Sequence, residues 1–268
     1  MLRSGIRRRL VAVAITAGAV SAALLPTGPA SAAPASFTKI QGAASNAAGL
    51  QQTVDLYRTL LGEPNNGSLV GTQPAGRREI NWDGTPDAQS SPNQLPRDFF
   101  NTTVPRGAVF SGAPSFQVSA DSSNPTSTPV RFGNLNSTYP SQFGTFSPER
   151  LFTPIETNRT TIQFFVPGTT TRAAVKGFGA VFTDVDKAST SKIEIYDRWG
   201  ALLWSDWVPA GPTSAKSLSF LGVKTDADIY EVRIITGNAA LNAWTNDTAS
   251  TDVVVLDDLL YGEPKAIA

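Results

Sequence analysis

The sequence contains neither cysteine nor histidine. This double absence excludes disulfide bonds, thiol nucleophiles, histidine-dependent catalytic triads and the usual zinc ligands. The chain also lacks a Gly-x-Ser-x-Gly nucleophile elbow and a phosphate-binding loop. Carboxylate, amide, hydroxyl, basic and aromatic side chains are therefore the main groups that remain for chemistry or recognition.

An excess of one charge and a long apolar run in the body of the chain are also missing. The chain carries 22 basic and 22 acidic residues, and removing the first 32 residues, with four Arg and no acid, leaves 18 against 22. A mildly acidic protein is a poor partner for nucleic acid. No stretch after residue 35 approaches the ~18 apolar residues of a membrane-spanning helix. We therefore expect no nucleic-acid binding and no membrane insertion of the mature chain.

The first 32 residues have the pattern of a cleaved export signal. Arg3 and Arg7 to Arg9 form a positive region, an apolar run extends from Leu10 to Leu25, and Ala30-Ser31-Ala32 matches a cleavage site. The Ala-rich leader is typical of bacteria. We predict a signal peptide at residues 1–32 and a secreted, extracellular protein.

One helix is predicted, at residues 43–61. Its apolar positions recur at helical spacing, and a glycine and a proline after it favour its termination. These apolar positions are Leu50, Val54, Tyr57 and Leu61. Because so short a helix is marginally stable alone, we expect it to pack on the main domain. Residues 33–76 are interpreted as a helical N-terminal segment and linker.

From residue 77 onward the pattern is one of short strands and turns. Strand-like stretches occur at residues 160–166, 175–185, 191–196, 201–208, 229–235 and 253–256. They predict a mainly β fold, a jelly-roll-like two-sheet β-sandwich over residues 77–268. Gly177 and Gly179 indicate a bulge or a close approach of another segment. The Pro-rich residues 84–150 are predicted to form long loops and edge strands with buried phenylalanines.

Acidic residues at both ends of the predicted sandwich suggest a cation site. Glu79, Asn81 and Asp83 share the parity of one side of its first strand, and Asp257 and Asp258 come directly after the apolar run of its last. First and last strands are commonly neighbours in a jelly roll, and oxygen ligands without His or Cys suit a hard cation. We therefore predict a structural Ca²⁺ site at Asn81, Asp83, Asp257 and Asp258.

Two alternatives to that site stay open. Asp184 and Asp186, at the end of another predicted strand, form a second candidate for Ca²⁺. The other alternative is that all these carboxylates are solvated turn residues, which are common in β-proteins.

Aromatic side chains crowd the hairpin predicted at residues 191–208. Trp204 and Trp207 have opposite strand parity, so one is expected in the core and the other exposed. An exposed Trp beside polar groups can stack on a sugar ring. The predicted ligand-binding residues are Tyr196, Arg198, Trp199, Trp207 and Trp244. The alternative is ordinary packing of large aromatic side chains.

Candidates for catalysis are few. The pairs that a strand could hold at the spacing of a glycosidase are Asp184 with Asp186 and Glu194 with Asp197. A lyase could use Tyr196 and Arg198. We favour a non-catalytic extracellular binding or adhesion module with an extracellular glycan as ligand. A carboxylate-dependent polysaccharide hydrolase or lyase, and a structural cell-envelope protein, are the alternatives.

Several strings resemble segments of a group of uncharacterised secreted bacterial β-sandwich proteins, some of which carry a PEP-CTERM sorting tail. The strings are GRREINWDG at residues 76–84, LPRDFFN at 95–101, PRG at 105–107, GFGAVFTDVD at 177–186 and DDLLYG at 257–262. The resemblance implies export and a β-sandwich, but no particular activity. Residues 256–259 are also similar to the last strand of MAM-type jelly-roll domains, where paired aspartates help to hold Ca²⁺.

Overall fold

Two antiparallel β-sheets pack face to face in the computed structural model, which describes residues 34–267. One sheet has eight strands and the other has five, so the predicted mainly β sandwich is confirmed. The predicted signal peptide lies outside the described residues. Within the described part of the chain, no helix combines the length and the apolar character that crossing a membrane requires.

The elements of the described chain are strands and two α-helices, joined by turns and loops. In order they are β1 (Phe37–Ala44), α1 (Ala47–Leu61), β2 (Arg77–Ile80), β3 (Ala108–Ser111), β4 (Ser115–Val118), α2 (Tyr139–Gln142), β5 (Phe152–Ile155), β6 (Arg159–Phe164), β7 (Ala173–Thr183), β8 (Lys192–Tyr196), β9 (Leu202–Trp207), β10 (Leu218–Ile229), β11 (Glu231–Ile235), β12 (Val255–Gly262) and β13 (Lys265–Ala266). Long loops precede β3, α2 and β12. A short 3₁₀ turn at Asp87–Gln89 and a π-helical turn at Phe99–Thr103 interrupt the first of these loops.

The larger sheet has the strand order β1-β10-β7-β12-β5-β4, with β2 also paired to β12 and β13 to β7. The smaller sheet has the order β3-β6-β11-β8-β9. Strand β12 is buried along its whole length because the larger sheet is covered on both faces. This position explains the apolar residues 253–256, for which the sequence predicts a central strand.

The main core fills the space between the sheets. Inward-facing side chains of β7 and β12 meet those of β6, β8 and β11 there. Trp82 stacks on Phe152 with 4.4 Å between ring centroids. Trp204 packs against this core and Trp207 is 43% exposed, so their predicted opposite orientation is confirmed. The Pro-rich segment contributes the buried rings of Phe99, Phe100, Phe110, Phe116, Phe132 and Phe143, as predicted.

Helix α1 begins and ends where side-chain chemistry favours it. The Asn46 side chain accepts a hydrogen bond from the Gly49 N–H at 3.0 Å and caps the first turn. The Gly62 N–H bonds to the Arg58 carbonyl at 3.0 Å, and Gly62 has a φ of +106°. The predicted apolar positions, Leu50, Val54, Tyr57 and Leu61, are all buried. The predicted helix and its packing on the sandwich are therefore confirmed, but its predicted start is too early: residues 43 and 44 belong to β1, and the sandwich begins with that strand rather than at residue 77.

Glycines in the larger sheet allow α1 to approach its outer face closely. A Cβ atom at Gly179 would lie 2.8 Å from the Tyr57 ring, and one at Gly222 would lie 2.7 Å from it. A Cβ atom at Gly177 would lie 2.6 Å from the Leu61 side chain. The close approach predicted for Gly177 and Gly179 is that of this helix.

Candidate functional site

Strands β2 and β12 are antiparallel neighbours, with Ile80 opposite Leu259. This pairing places the residues that follow β2, Asn81 to Asp83, beside Asp257 and Asp258. The predicted adjacency of these two segments is confirmed, although β2 is the second strand along the chain and β1 the first. A cation site also requires carboxylate oxygens that are not already hydrogen-bonded to other protein groups.

Asp257 and Asp258 lie at a bulge in β12. The register against β7 shifts between Leu256 and Leu259, where one extra residue is accommodated on β12. Both carboxylates therefore reach the same loop, although successive side chains of a regular strand point to opposite faces. The Ser147 hydroxyl lies 3.0 Å from Asp257 Oδ1 and 2.7 Å from Asp258 Oδ1.

Both of these carboxylates are buried and have protein partners. Asp257 Oδ2 accepts a hydrogen bond from the Phe146 N–H at 2.6 Å, and Asp258 Oδ2 lies 3.6 Å from the Arg58 guanidinium. Burial, followed by repulsion from Asp258, raises the pKa of Asp257 well above its ordinary value. Burial also raises the pKa of Asp258. The two side chains form a hydrogen-bonded carboxyl–carboxylate pair.

The other two predicted Ca²⁺ ligands lie nearby. Asp83 Oδ1 accepts a hydrogen bond from the Arg150 N–H at 3.1 Å, and burial raises the pKa of Asp83. Asn81 is exposed. The structure thus brings the four predicted residues into one region, but protein donors already bind the oxygens of its buried pair.

Residues of the string GRREINWDG make buried contacts between distant parts of the chain. Arg78 and Glu263 form a fully buried bidentate ion pair, with N–O distances of 2.7 Å and 2.9 Å. The other guanidinium N–H groups donate to the carbonyls of Gly67, Leu69, Gly71 and Pro105. The Trp82 Nε1–H donates to the Asp257 carbonyl. These residues join β2 to the C-terminal segment.

A second group of aspartates lies where β7 ends and β12 begins. The last residue of β7 is opposite the first residue of β12, so Asp184 and Asp186 lie beside Asp252. The loop between β11 and β12 adds Asp247. Carboxylate oxygens of Asp186, Asp247 and Asp252 all lie within 4.8 Å of one another. We call these four residues the aspartate cluster.

The aspartate cluster has few hydrogen-bond donors. Asp252 accepts bonds from the Asp186 N–H at 3.0 Å and from the Thr190 hydroxyl. Neither carboxylate oxygen of Asp184 or Asp247 has a well-aligned donor in the described part of the chain. The nearby N–H groups of Lys216 and Thr248 donate instead to the carbonyls of Gln142 and Thr251, at 2.7 Å and 3.0 Å. Burial, followed by repulsion from the other three aspartates, raises the pKa of Asp184 to about 9. Burial and repulsion from Asp186 and Asp252 raise the pKa of Asp247 to about 6.

Trp199 stands at the tip of the β8–β9 hairpin and is 80% exposed. Asp197 Oδ1 accepts the N–H groups of Trp199 and Ala201 at 2.9 Å and 2.8 Å, which fixes the turn. Gly200 supplies the positive φ, +81°, that the turn requires. The Arg198 guanidinium carbon lies 5.1 Å from the Trp199 ring centroid.

A groove of about 360 Å³ runs beside this turn. Its lining includes Asp197, Arg198, Trp199, Leu203, Asp228 and Tyr230. The Arg172 guanidinium lies 4.0 Å from the Tyr230 ring centroid and stacks on that ring. The groove combines aromatic surface with charged groups that can hydrogen-bond hydroxyls.

The other predicted ligand-binding residues lie outside this groove. Trp207 ends β9, about 17 Å from the start of that strand at 3.4 Å per residue. Trp244 is 90% exposed in the loop between β11 and β12. Tyr196 ends β8 and stacks with an arginine on the smaller sheet. The groove therefore unites Arg198 and Trp199, but not the other three residues.

The carboxylates considered for catalysis in the hairpin have structural partners. Glu194 accepts hydrogen bonds from Lys192 Nζ at 2.8 Å and from the Tyr196 hydroxyl at 2.6 Å. Burial raises the pKa of Glu194, but these two bonds outweigh it and leave the pKa lowered. Asp197 fixes the turn. Glu194 therefore lacks the raised pKa of a glycosidase general acid, and the Asp197 carboxylate is occupied by backbone N–H groups.

Sequence reasoning missed Asp247 and Asp252 in the aspartate cluster, and Asp228 and Tyr230 in the groove. Asp252 offers a local signal, because it directly precedes the apolar residues 253–256. Its relation to Asp184 depends on the pairing of β7 with β12, which no local pattern encodes. Nothing in the sequence near Tyr230 distinguishes it from a core aromatic residue.

Comparison of the chain with protein-family models, with curated proteins and with solved structures finds no match. The resemblance noted in the sequence stays a prediction. Any function is therefore argued from the geometry of the aspartate cluster and of the groove.

Proposed function

We propose that the protein is a secreted, non-catalytic binding module that holds an extracellular glycan in the groove beside Trp199. The observation that carries the proposal is an indole ring that is 80% exposed on a fixed turn at the edge of a groove. The apolar face of a sugar ring stacks on such an indole, and this contact removes apolar surface from water.

The turn that presents Trp199 favours binding by its rigidity. Two backbone N–H groups bind one Asp197 oxygen, so the backbone that carries the indole is fixed before a ligand arrives. Groups that are ordered in advance lose less conformational entropy on association. Its fixed turn distinguishes Trp199 from an exposed Trp on a flexible segment.

Polar groups in the groove match the hydroxyls of a sugar. Asp228 lies at its edge in an exposed ion pair with Lys176, at an Nζ–Oδ1 distance of 2.8 Å. Exposed pairs of this kind are weak and exchange readily with other partners. Tyr230 adds a hydroxyl and a second aromatic surface.

The export signal in the sequence supports an extracellular ligand, and the partners of Glu194 and Asp197 favour binding over hydrolysis. A carboxylate-dependent hydrolase or lyase and a structural envelope protein are the alternatives. The three functions differ in what happens to a glycan: it is retained, converted or ignored.

The test is a glycan array probed with the purified protein, followed by analysis of the retained glycan for new reducing or unsaturated ends. Trp199→Ala should weaken binding of a retained glycan by about 1–3 kcal/mol, the range for stacking on aromatic platforms. The melting temperature should be unchanged because the indole is mostly in solvent. Trp244→Ala is the matched control, since that indole is exposed but lies outside the groove.

Retention without new ends, lost in Trp199→Ala and kept in Trp244→Ala, supports the proposal. New chain ends favour the enzyme, and the absence of retention favours a structural protein. Equal losses in the two variants contradict the assignment of the groove.

A further inference from the structure

We propose that the aspartate cluster, Asp184, Asp186, Asp247 and Asp252, binds one Ca²⁺ ion. This site is distinct from the proposed glycan site, because none of these residues lines the groove beside Trp199. Its carboxylate oxygens outnumber the hydrogen-bond donors around them.

Asp184 shows most clearly that a partner is missing. Its side chain is fully buried, and neither carboxylate oxygen receives a hydrogen bond from the described residues. The backbone N–H of Lys216, which lies close by, donates to the Gln142 carbonyl at 2.7 Å. An unpartnered buried carboxylate is strongly unfavourable. The charges that act on it are those of the other three aspartates, so it faces the cluster.

The rest of the cluster has the same deficit. Asp186 Oδ1 and both oxygens of Asp247 receive no hydrogen bond from N–H or O–H groups in the described chain. Carboxylate oxygens of Asp186 and Asp247 lie within 4.8 Å of each other, so their negative charges repel when no cation lies between them.

The nearest basic side chain does not fill the deficit. Lys187 Nζ donates to the carbonyls of Thr248 and Thr251 at 2.8 Å and 3.4 Å. It lowers the pKa of Asp186 and Asp247 only through its charge. A metal ion would supply the positive charge that the described side chains leave out.

The distances suit Ca²⁺. Because Ca²⁺ binds oxygen at 2.3–2.6 Å, two oxygens on one ion lie at most about 5 Å apart. Oxygens of Asp186, Asp247 and Asp252 meet this limit, since all are within 4.8 Å of one another. Asp184 borders these three carboxylates with its own unpartnered carboxylate, and water can complete the six to eight ligands of the ion.

The ligand chemistry also selects Ca²⁺ among cations. The chain has no His or Cys, so softer metals find none of their preferred ligands. Mg²⁺ demands near-octahedral geometry and keeps most of its water. Four carboxylates from a strand end and an irregular loop offer the variable geometry that Ca²⁺ accepts.

A hydrated ion can reach the cluster from solvent. Asp186 and Asp247 line an open cleft of about 570 Å³, together with Thr213 and Ser214. Asp184 and Asp252 are fully buried. An ion entering from this cleft therefore meets the two half-buried carboxylates first.

The test is thermal denaturation and isothermal titration of the purified protein with CaCl₂, with EDTA as the metal-free reference. We expect one binding event per chain and a higher melting temperature in Ca²⁺. At a hundredfold excess over Kd, the folding equilibrium constant should rise about a hundredfold. MgCl₂ at the same concentration should give a much smaller shift, and an equal shift overturns the choice of Ca²⁺.

Asp186→Asn should lose the response to Ca²⁺ and melt no lower than the wild-type protein in EDTA, because one repelling charge is gone. This variant stays informative if Asp252→Asn fails to fold, since Asp186 is only half buried. Asp257→Asn is the matched control, a buried aspartate of the other pair, and should keep the response. An identical melt of the wild-type protein in Ca²⁺ and EDTA overturns the proposal, as does a response that survives in Asp186→Asn.

Discussion

Two buried groups of aspartates lie beside strand β12, and they differ in how the protein surrounds them. The Asp257–Asp258 pair is bound by the Phe146 N–H and the Ser147 hydroxyl, with the Arg58 guanidinium 3.6 Å from Asp258. In the aspartate cluster, the described donors reach only Asp252.

This contrast shows that the number of acidic residues is a poor guide to a metal site. In the sequence, Asp-Asp at 257–258 and Asp-Val-Asp at 184–186 look equally suited to a cation. A buried carboxylate is stable when hydrogen bonds, a proton or a positive charge compensate its desolvation. The first group has that compensation within the protein, whereas the second lacks it.

Among the variants that separate the two groups, Asp257→Ala should lower the free energy of unfolding most. It leaves the Phe146 N–H without a partner and removes the neighbouring carboxyl from Asp258, which keeps only the Ser147 hydroxyl and Arg58. A buried unsatisfied group costs about 1–3 kcal/mol. We expect a loss of about 3 kcal/mol in the free energy of unfolding, equal in Ca²⁺ and in EDTA. Urea denaturation in both conditions measures it. A loss confined to Ca²⁺ would make the pair a metal site.

Thr190→Val should have an intermediate effect, and only on metal binding. The change removes the hydroxyl that bonds to Asp252 but keeps the shape of the side chain. Removing an outer-shell partner typically lowers metal affinity by about 10–100-fold. Titration with CaCl₂ measures this loss. Ser147→Ala, which removes the hydroxyl of the other pair, is the control and should leave Ca²⁺ affinity unchanged.

Asp257→Asn should have the smallest effect, and a pH-dependent one. An amide can accept from the Phe146 N–H and donate to Asp258, as the protonated carboxyl does. Because the pKa of Asp257 is raised in the folded state, folding retains a proton that the unfolded chain releases above about pH 4. The free energy of unfolding of the wild-type protein should therefore fall as the pH rises. In the variant, the part of this decrease that is due to Asp257 should be absent.

The measurement is urea denaturation of both proteins in EDTA between about pH 5 and pH 8. The metal-free aspartate cluster titrates equally in the two proteins, so its contribution cancels in the difference. The difference between the two stabilities should be smallest at about pH 5, and the variant should gain on the wild-type protein as the pH rises. Parallel curves would contradict the shared proton of the pair.

Much of the fold follows from local patterns, but several strands do not, and β1 and β10 are the longest of these. Alternation predicts β8 and β11, and helical spacing predicts α1. The sequence does not predict β1 because it is an edge strand with mostly exposed side chains. It does not predict β10 because this strand is buried on both faces at first and then carries Lys and Asp residues at its exposed end. Neither strand shows the half-buried alternation that a sequence pattern detects.

The candidate sites were predictable only in part. The exposure of Trp199 and Trp207 agrees with their places in the hairpin, but only tertiary structure shows that Trp199 alone borders the groove. The adjacency of Asp83 and Asp257 follows from the pairing of β2 with β12, which the fold class suggests. The donors that satisfy Asp257 come from residues 146 and 147, in a loop that the sequence does not relate to it.

The amino-acid composition sets which ligand atoms the protein can offer: without His or Cys, a metal must be held by oxygen. The caps and apolar spacing of α1 also depend on neighbouring residues alone. Which carboxylates lack partners depends instead on the tertiary structure. Asp252 meets the Asp186 backbone across 66 residues, and Phe146 meets Asp257 across 111. Strand pairing and burial set these distances, because hydrogen bonding and desolvation depend on which groups meet in space rather than on their order in the chain.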